Sequence, residues 1–339
     1  MKYGYYPGCS LERNAAAYDI STRAVARTLG FELDELDDWN CCGATEYIAI
    51  NKLAAYSLIG RNLALAQQQF HTNGNGHLAA DGRAQLIAPC SACFLNLRKA
   101  DRYLQEDTKL RDTTNEALAA AGLHYDPGTV FVRHLLEMII NDVGCDEVKR
   151  HVTKPLNGLR VASYYGCLLV RPRLGGELSD AEYPTELESL MKVLGAEVVD
   201  FPLKTHCCGG HMTQISAEVA YELIRRLLQN ASEYRADVIV TICPMCQLNL
   251  DAYQTRVNQH FGTNFNLPIL YFTQLMGLAF GLEPKAIGFG KEIVSAENAL
   301  IKIQRSLEPA ATPAPSRPRK KKDEGLPMPR MPEDEEVSA

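Results

Sequence analysis

The sequence predicts an α/β fold of two tandem homologous βαβ-type domains with parallel sheets, and three observations carry this prediction. Short apolar runs of strand length alternate with segments of helix length, which is the order of parallel strands joined by crossover helices. Three cysteine-containing blocks recur in the same order, about 150–170 residues apart. The cysteines follow predicted strands, and the carboxyl ends of parallel strands meet at one edge of a sheet.

The repeat defines the predicted domain organisation. Its block pairs are Tyr5-Tyr6-Pro7-Gly8-Cys9 with Tyr164-Tyr165-Gly166-Cys167, Cys41-Cys42-Gly43 with Cys207-Cys208-Gly209, and Cys90-Ser91-Ala92-Cys93 with Cys243-Pro244-Met245-Cys246. Repeats of this length are ordinary domain sizes. We therefore predict a first domain over residues 1–150, a second over 151–307 and a tail over 308–339. Ten of the eleven cysteines belong to the repeat, and Cys145 is interpreted as a structural thiol.

Each half gives the same order of predicted elements. Gly30 ends an Ala-rich helical segment, and the other helices follow from the spacing of apolar residues. The first half contains strands Lys2–Tyr6, Phe31–Leu36 and Gln85–Ala88, and helices Asn14–Leu29, Thr45–Phe70 and one from Phe94. The second half contains strands Arg160–Tyr164, Glu197–Phe201 and Asp237–Ile242, and helices Thr185–Leu194, Ala217–Gln229 and one from about Cys246.

Composition and charge exclude several classes of protein. Apolar residues make up 46% and charged residues 22% of the chain, as in a globular protein. A net charge of -6 argues against a nucleic-acid partner, which favours a basic surface. We see no signal peptide and no apolar run long enough to cross a bilayer. The predicted location is therefore cytoplasmic, with membrane contact only through partners.

Clustered cysteines in such a protein indicate metal or redox chemistry rather than disulfides. Structural zinc uses four ligands, so each five-cysteine set would leave one to spare, and a dithiol redox site needs only one Cys-x2-Cys. An iron–sulfur cluster spreads its irons over several ångströms, so adjacent cysteines can bind different irons. The pattern favours one cluster in each half. Gly43 and Gly209, which follow the adjacent pairs, let the backbone pass close to inorganic sulfur and donate N–H groups to it.

At these residues the sequence resembles the cysteine-rich CCG domain family, in particular the B subunit of heterodisulfide reductase, over roughly residues 1–280. The resemblance implies two unusual non-cubane [4Fe-4S] clusters with five cysteine ligands each. One would be bound by Cys9, Cys41, Cys42, Cys90 and Cys93, and the other by Cys167, Cys207, Cys208, Cys243 and Cys246. The first spacer between Cys42 and Cys90 is about a dozen residues longer than the family's, and the excess coincides with a Gly/Asn-rich loop over His71–Gly82.

The resemblance also implies an activity and partners. In heterodisulfide reductase the two clusters cleave a disulfide in one-electron steps, and a related sulfur-oxidising complex uses sulfur on a protein-bound lipoyl group. The substrate would be a thiol, a disulfide or a lipoyl carrier protein, and the partners a ferredoxin-like iron–sulfur subunit and a flavoprotein subunit. Related domains in succinate, glycolate and lactate oxidoreductases mainly pass electrons. Catalyst and electron relay therefore both remain open, and two intact cysteine sets favour the catalyst.

Histidines beside the second adjacent cysteine pair are candidate proton donors. His206 and His211 flank Cys207-Cys208, and Lys204 lies just before them. Near a reacting sulfur they could donate protons or hold an anion. They fit an ordinary surface loop equally well. From about Glu308 the chain is rich in proline and charge, which is typical of a disordered tail.

Overall fold

Two four-stranded sheets, in which every neighbouring pair of strands is parallel, organise the computed structural model of the chain. The structure describes residues 1–44, 47–72, 78–79, 81–174 and 178–307. The strands of the first sheet are β1 (Lys2–Tyr5), β2 (Glu32–Glu35), β3 (Ala84–Ala88) and β4 (Val130–His134), in the order β2-β1-β3-β4. Those of the second are β5 (Arg160–Tyr164), β6 (Glu197–Val198), β7 (Val238–Thr241) and β8 (Ile269–Tyr271), in the order β6-β5-β7-β8.

Helices connect the strands in both halves. In the first half they are α1 (Ala16–Leu29), α2 (Tyr47–Ile50), α3 (Lys52–Ala66), α4 (Ser91–Glu106), α5 (Thr108–Ala119), α6 (Leu135–Met138) and α7 (Cys145–Arg150). In the second half they are α8 (Glu186–Val193), α9 (Met212–Ile215), α10 (Ala217–Glu233), α11 (Pro244–Ala252), α12 (Gln254–Phe261), α13 (Phe272–Ala279) and α14 (Glu297–Leu307). The predicted α/β fold with two parallel sheets and tandem repeats is confirmed.

Local sequence explains most of these boundaries. Gly30 takes a left-handed conformation, φ 72°, and its N–H donates to the Ala26 carbonyl, so α1 ends there. The predicted helix over 45–70 is broken at Asn51, whose side chain accepts from the Ala54 N–H and thereby caps α3. The central strand β7 is buried along its whole length, as in a sheet covered on both faces.

The sequence prediction missed the fourth strand of each sheet. β4 and β8 add outside β3 and β7, and both end in a residue that starts a short helix, His134 before α6 and Tyr271 before α13. The prediction also began the helix α4 three residues and the helix α11 about two residues too late, since they start directly after Cys90 and Cys243. These corrections move both cysteines of each Cys-x2-Cys to a helix N-terminus.

Helix α1 of the first half packs against α13 of the second, and the buried core is continuous across this contact. The Tyr18 ring stacks on the Tyr271 ring at 4.3 Å, and the Ser21 and Thr273 hydroxyls are 2.7 Å apart. A Cβ at Gly288, which has φ 82°, would lie 2.7 Å from the Ala17 Cα. Residues 1–307 form one compact unit, and division into domains at residue 150 stays a prediction.

Two predicted features lie wholly or partly outside the described residues. The tail over 308–339 is one, and the His71–Gly82 insertion, of which 73–77 and 80 are not described, is the other. Among the helices that the structure does describe, none combines the length and apolar character needed to cross a bilayer.

Candidate functional site

The cysteines of each half lie at the carboxyl edge of its sheet. Cys9 follows β1, Cys41 and Cys42 follow β2, and Cys90 follows β3. In the second sheet the corresponding cysteines are Cys167 after β5, Cys207 and Cys208 after β6, and Cys243 after β7. Cys93 and Cys246 lie in the first turns of α4 and α11.

The five sulfurs of the first set form one continuous series of contacts. The Cys9 and Cys41 sulfurs are 3.6 Å apart, and the Cys42 sulfur donates to that of Cys93 at 3.3 Å. Cys41 also contacts Cys42, and Cys90 contacts Cys93, through their thiols. The structure therefore brings together all five cysteines that the sequence assigned to the first half.

The second set repeats this arrangement. The Cys208 sulfur donates to that of Cys246 at 3.5 Å, and the Cys246 and Cys243 thiols are also hydrogen-bonding partners. Cys167 and Cys207 form the outer pair, as Cys9 and Cys41 do in the first half. The Cys208–Cys246 and Cys167–Cys207 pairs thus correspond to Cys42–Cys93 and Cys9–Cys41 of the first set.

The two sets approach one another at Cys90 and Cys243: the Cys243 thiol raises the pKa of Cys90, and the Cys246 and Cys90 thiols lower the pKa of Cys243. Both are buried, as are Cys42, Cys93, Cys208 and Cys246. Cys9, Cys41 and Cys207 are exposed at the outer ends. The sulfurs therefore run from one accessible end, through a buried centre, to a second accessible end.

Tyrosine hydroxyls fix the loops that carry the adjacent cysteine pairs. Tyr6 donates to the carbonyl of Asn40 at 2.7 Å, and Tyr164 donates to the carbonyl of His206 at 2.6 Å. Each acceptor is the residue immediately before a Cys-Cys pair. Burial raises the pKa of both phenols well above the ordinary value, so both remain protonated donors.

Two asparagines that sequence reasoning did not assign to the site contact the buried member of each adjacent pair. Asn96 donates to the Cys42 carbonyl at 3.3 Å and lies 3.9 Å from the Cys42 sulfur. Asn249 donates to the Cys208 carbonyl at 3.2 Å and lies 3.7 Å from the Cys208 sulfur. Their position three residues after each Cys-x2-Cys, repeated in both halves, was the available signal.

Glycines leave room for sulfur at two matched positions, and two more follow the adjacent cysteine pairs. A Cβ at Gly8 would lie 3.0 Å from the Cys93 sulfur, and one at Gly166 would lie 2.9 Å from the Cys246 sulfur. The predicted Gly43 and Gly209 have φ 75° and 92°, in the left-handed region that glycine favours. The Gly209 N–H donates to the Cys207 sulfur at 3.3 Å.

The outer thiols are polarised in the same sense in both halves. Hydrogen bonding to Cys41 raises the pKa of Cys9, and hydrogen bonding to Cys207 raises the pKa of Cys167. The pKa of Cys41 is lowered, first by the Cys42 thiol and then by Cys9, and the Cys167 thiol lowers the pKa of Cys207 to about 6. Cys41 and Cys207 therefore carry the most thiolate character of the outer pairs.

The other candidate residues differ in their burial and in their contacts. His206 is exposed beside Cys207, and His211 is partly buried at the start of α9. Lys204 is buried, donates to Glu188 at 2.7 Å and lies over the Tyr183 ring, so it is part of the packing of its own half. Cys145 lies outside both sets at the start of α7.

A surface cavity of about 430 Å³ opens beside the outer pair of the first set. Cys9 and Cys41 line it, together with the carboxylates of Glu12, Glu35, Asp37 and Asp38. The accessible end of the first set therefore faces an acidic rim.

The donor set fits an iron–sulfur cluster. Three sulfur pairs, two in the first half and one in the second, are separated by 3.3–3.6 Å, close to the about 3.8 Å expected of two thiolates on one metal ion with metal–sulfur bonds of about 2.3 Å. Each half offers five thiols at one sheet edge. Within the described ranges, no three or more His, Cys, Asp or Glu side chains are arranged to hold a single metal ion.

Comparison with known proteins agrees with the repeat. A family model described as a cysteine-rich domain, CCG, matches residues 3–98 and 161–251. The chain is 33% identical to the 8-methylmenaquinol:fumarate reductase membrane anchor subunit of Wolinella succinogenes, over 87% of this chain and 98% of that protein. It is 28% identical to the B subunit of the ferredoxin:CoB-CoM heterodisulfide reductase of Methanosarcina mazei, over 89% of this chain and 97% of that protein.

Two further similarities extend this comparison. A protein of Archaeoglobus profundus, named as similar to the B subunit of heterodisulfide reductase, is 28% identical over 85% of this chain and 93% of its own. The crystal structure of a hypothetical protein from Helicobacter pylori superposes with a TM-score of 0.65 at 14% identity. The superposition covers 87% of this chain and 52% of that one, so this chain spans about half of the solved structure. At this identity the likeness establishes the fold alone.

Proposed function

The chain belongs to the cysteine-rich CCG domain family, and from this premise we propose that it is the iron–sulfur subunit of a heterodisulfide-reductase-like complex. Its homologues named as the B subunit of heterodisulfide reductase make it a component of an oxidoreductase complex. The proposal adds that the subunit itself acts on sulfur groups, cleaving or forming a disulfide. It also adds that each half binds one [4Fe-4S] cluster of the non-cubane type through its five cysteines.

One observation carries this proposal: each half places five cysteines after matched strands, and the two sets approach one another at Cys90 and Cys243. Cleaving one disulfide takes two electrons and two protons and gives two thiols, and forming it releases them. When bound, the two clusters would supply single-electron transfer and coordination of sulfur. Two sets in contact match a reaction of two electrons, one from each set.

The protein side chains would hold and tune these groups. The ten cysteines supply thiolates, and the buried Cys42 and Cys208 carry the Asn96 and Asn249 amides beside them. Hydrogen bonds to ligand sulfur raise a cluster's reduction potential. Gly8 and Gly166 leave space that a methyl group would take from the Cys93 and Cys246 sulfurs.

Protons for the two product thiols would come from the second half. His206 is exposed beside Cys207, and His211 lies three residues after Cys208. Asn40 takes the place of His206 in the first half and cannot supply a proton at neutral pH. We therefore propose that His206 is the first proton donor and that His211 is a second donor nearby. One of the two product sulfurs would then be protonated more readily than the other.

Partner subunits would dock beside the exposed cysteines. The helix α2 ends in Ile50, 78% exposed, and the helix α9 ends in Ile215, 70% exposed. Leu53 and Val219 continue these patches. Exposed apolar groups are typical of interaction sites, and these follow the adjacent cysteine pairs of both halves at similar sequence distances. We assign them to a ferredoxin-like iron–sulfur subunit and a flavoprotein subunit.

The substrate and location follow from the same proposal. A free thiol, a disulfide or a lipoyl group on a carrier protein would reach the exposed outer sulfurs. The complex would lie in the cytoplasm, where thiols stay reduced, and would reach a membrane only through partners.

A second candidate function is electron transfer without substrate chemistry, as in a succinate-, glycolate- or lactate-type dehydrogenase. The 33% identical relative is named as a subunit of a fumarate reductase, and the sulfurs run between two accessible ends as a relay requires. In this case electrons would enter at one exposed end and leave at the other.

Metal analysis and spectroscopy test the proposal together. Anaerobically purified protein should contain about eight irons and eight inorganic sulfides per chain, for two four-iron clusters. Adding a disulfide or thiol should then change the paramagnetic spectrum, because a new sulfur ligand alters the iron. Zinc without inorganic sulfide would contradict the clusters. Eight irons with a spectrum that no thiol or disulfide changes would favour the relay.

A further inference from the structure

A buried polar contact joins the two halves directly behind the cysteines at which the two sets meet. The Tyr18 hydroxyl lies 3.3 Å from the carbonyl oxygen of Pro89 and 3.3 Å from that of Ile242. These carbonyls belong to the residues immediately before Cys90 and Cys243. A side chain of the first half therefore contacts the residue immediately before each of the two central cysteines.

His134 faces the same two carbonyls from the end of β4. Its ring is fully buried, and its Nδ1 accepts the Leu136 N–H at 3.1 Å, which leaves the proton on Nε2. Burial lowers the pKa of the ring to about 4, and the backbone carbonyls of Pro89 and Ile242 act on the ring in the opposite sense. The contact of Nε2 with these carbonyls falls short of a full hydrogen bond. The His134 ring therefore packs against the same two carbonyls as the Tyr18 hydroxyl.

Aromatic packing keeps the junction rigid. The Tyr18 ring lies parallel to the Tyr271 ring, with 4° between the planes, and Phe94 contacts His134 edge-on at 5.9 Å. Tyr271 ends β8 as His134 ends β4, so equivalent positions of the two sheets meet at this point. All of these side chains are buried.

The contact is not a repeated feature of the fold. Tyr18 and Tyr183 each lie eleven residues before the leucine of a matched Leu-Gly helix end, Leu29 and Leu194. Tyr183 is 49% exposed and donates to Asp200 within its own half. Only the first-half tyrosine of this pair crosses to the other half.

We infer that Tyr18 and His134 are positioning residues that hold the peptides before Cys90 and Cys243 at a fixed separation, so that the two loaded cysteine sets act as one electronically coupled pair. This inference rests on the proposed pair of clusters and goes beyond it. Small movements of either peptide would change the separation of the Cys90 and Cys243 thiols, which act on one another across the two sets.

The test uses the full chain loaded anaerobically with iron and sulfide. Tyr18→Phe removes the hydroxyl and keeps the ring stack, and His134→Asn keeps an acceptor for the Leu136 N–H and removes Nε2. We expect wild-type iron content in both variants. The magnetic interaction between the two clusters should be weaker or absent, and the difference between their two midpoint potentials should change. Tyr183→Phe is the matched control and should leave the interaction and both potentials unchanged.

The outcomes separate this inference from the proposed function. Two clusters whose interaction and potentials are the same in wild type, Tyr18→Phe and His134→Asn would overturn the inference and leave the proposed function standing. Loss of iron in both variants would show a merely structural role and would also overturn it. A wild-type chain with fewer than two clusters would contradict the proposed function itself, and the inference with it.

Discussion

Asn96 and Asn249 hold the same position in the two halves, and each donates its side-chain amide to the carbonyl of the buried cysteine in its own Cys-Cys pair. The amides also lie within 3.9 and 3.7 Å of the sulfurs of Cys42 and Cys208. Both asparagines are buried in the second turn of a helix that begins at a Cys-x2-Cys. Each half therefore has a buried amide beside its inner thiol, at a position where an apolar side chain of similar size would also fill the space.

Replacing either asparagine by leucine should lower the reduction potential of the cluster in the same half. An N–H donor stabilises the more negative, reduced state of the sulfurs, and leucine removes it. Iron content should stay at the wild-type value, while the free energy of unfolding should fall by about 1–3 kcal/mol because a buried carbonyl loses its donor. Redox titration and chemical denaturation measure the two effects.

Matched controls separate potential from stability. Asn115 donates to the Tyr125 carbonyl, and Asn258 donates to the Phe265 carbonyl, both away from the cysteines. Asn115→Leu and Asn258→Leu should cost similar stability and leave both potentials unchanged. An unchanged potential in Asn96→Leu and Asn249→Leu as well would show that the amides are only structural.

Adding one methyl group at Gly8 or Gly166 should displace a cluster ligand. The new Cβ would lie 3.0 Å from the Cys93 sulfur or 2.9 Å from the Cys246 sulfur. Alanine in the left-handed region also costs roughly 1–2 kcal/mol. We expect Gly8→Ala and Gly166→Ala to lose iron from the affected half, measured as iron per chain after anaerobic reconstitution.

Gly30→Ala is the control for these variants. Gly30 has φ 72°, close to the 73° of Gly8, but a Cβ there meets nothing within 4 Å. It should lose the same conformational stability and keep all its iron. Equal iron loss in Gly30→Ala and Gly8→Ala would show that backbone strain, rather than contact with sulfur, is responsible.

Much of the fold was predictable because the sequence signals were local. The strand β5 and the end of α1 at Gly30 were placed correctly, since apolar strand residues and a left-handed glycine act on their own neighbourhood. β4 and β8 were missed because their strand character depends on pairing with β3 and β7. No cysteine of the repeat follows either strand, and β8 is only three residues long.

The same distinction between local and long-range signals applies to the candidate site. The grouping of the cysteines was predicted from their repeated spacing after predicted strands, which can be read directly from the sequence. The meeting of Cys90 with Cys243 and the position of Tyr18 between Pro89 and Ile242 depend on how α1 packs against α13. That contact joins residues more than 200 positions apart, and no local pattern encodes it.

Cys42→Ser and Cys208→Ser should each damage one cluster and spare the other, because each sulfur contacts only its own set. Iron should fall from about eight to about four per chain, for loss of one four-iron cluster. Electron paramagnetic resonance should show one signal lost and the other altered only in its coupling to the missing partner. Equal loss of both signals in a folded variant would mean that the ten cysteines form a single site.

The last prediction separates the sulfur catalyst from the relay through His206. This side chain is exposed beside Cys207, whereas Asn40 precedes the adjacent pair of the first half. His206→Asn makes the second half resemble the first and removes a proton donor. If His206 protonates a leaving sulfur, disulfide turnover should slow by roughly a hundredfold or more, the usual worth of a positioned acid, with iron content and both potentials unchanged.

A second histidine provides the control for this change. His124 is exposed and pairs with Asp126 in a first-half loop, so His124→Asn makes the same chemical change away from the cysteines and should leave turnover intact. Electron transfer to an artificial acceptor should survive in both variants, since it needs no proton on the substrate. Disulfide turnover that is equally fast in wild type, His206→Asn and His124→Asn would remove His206 from the reaction. Absence of turnover in the fully loaded wild type, with electron transfer intact, would identify the protein as a relay in which the outer sulfurs serve partner proteins alone.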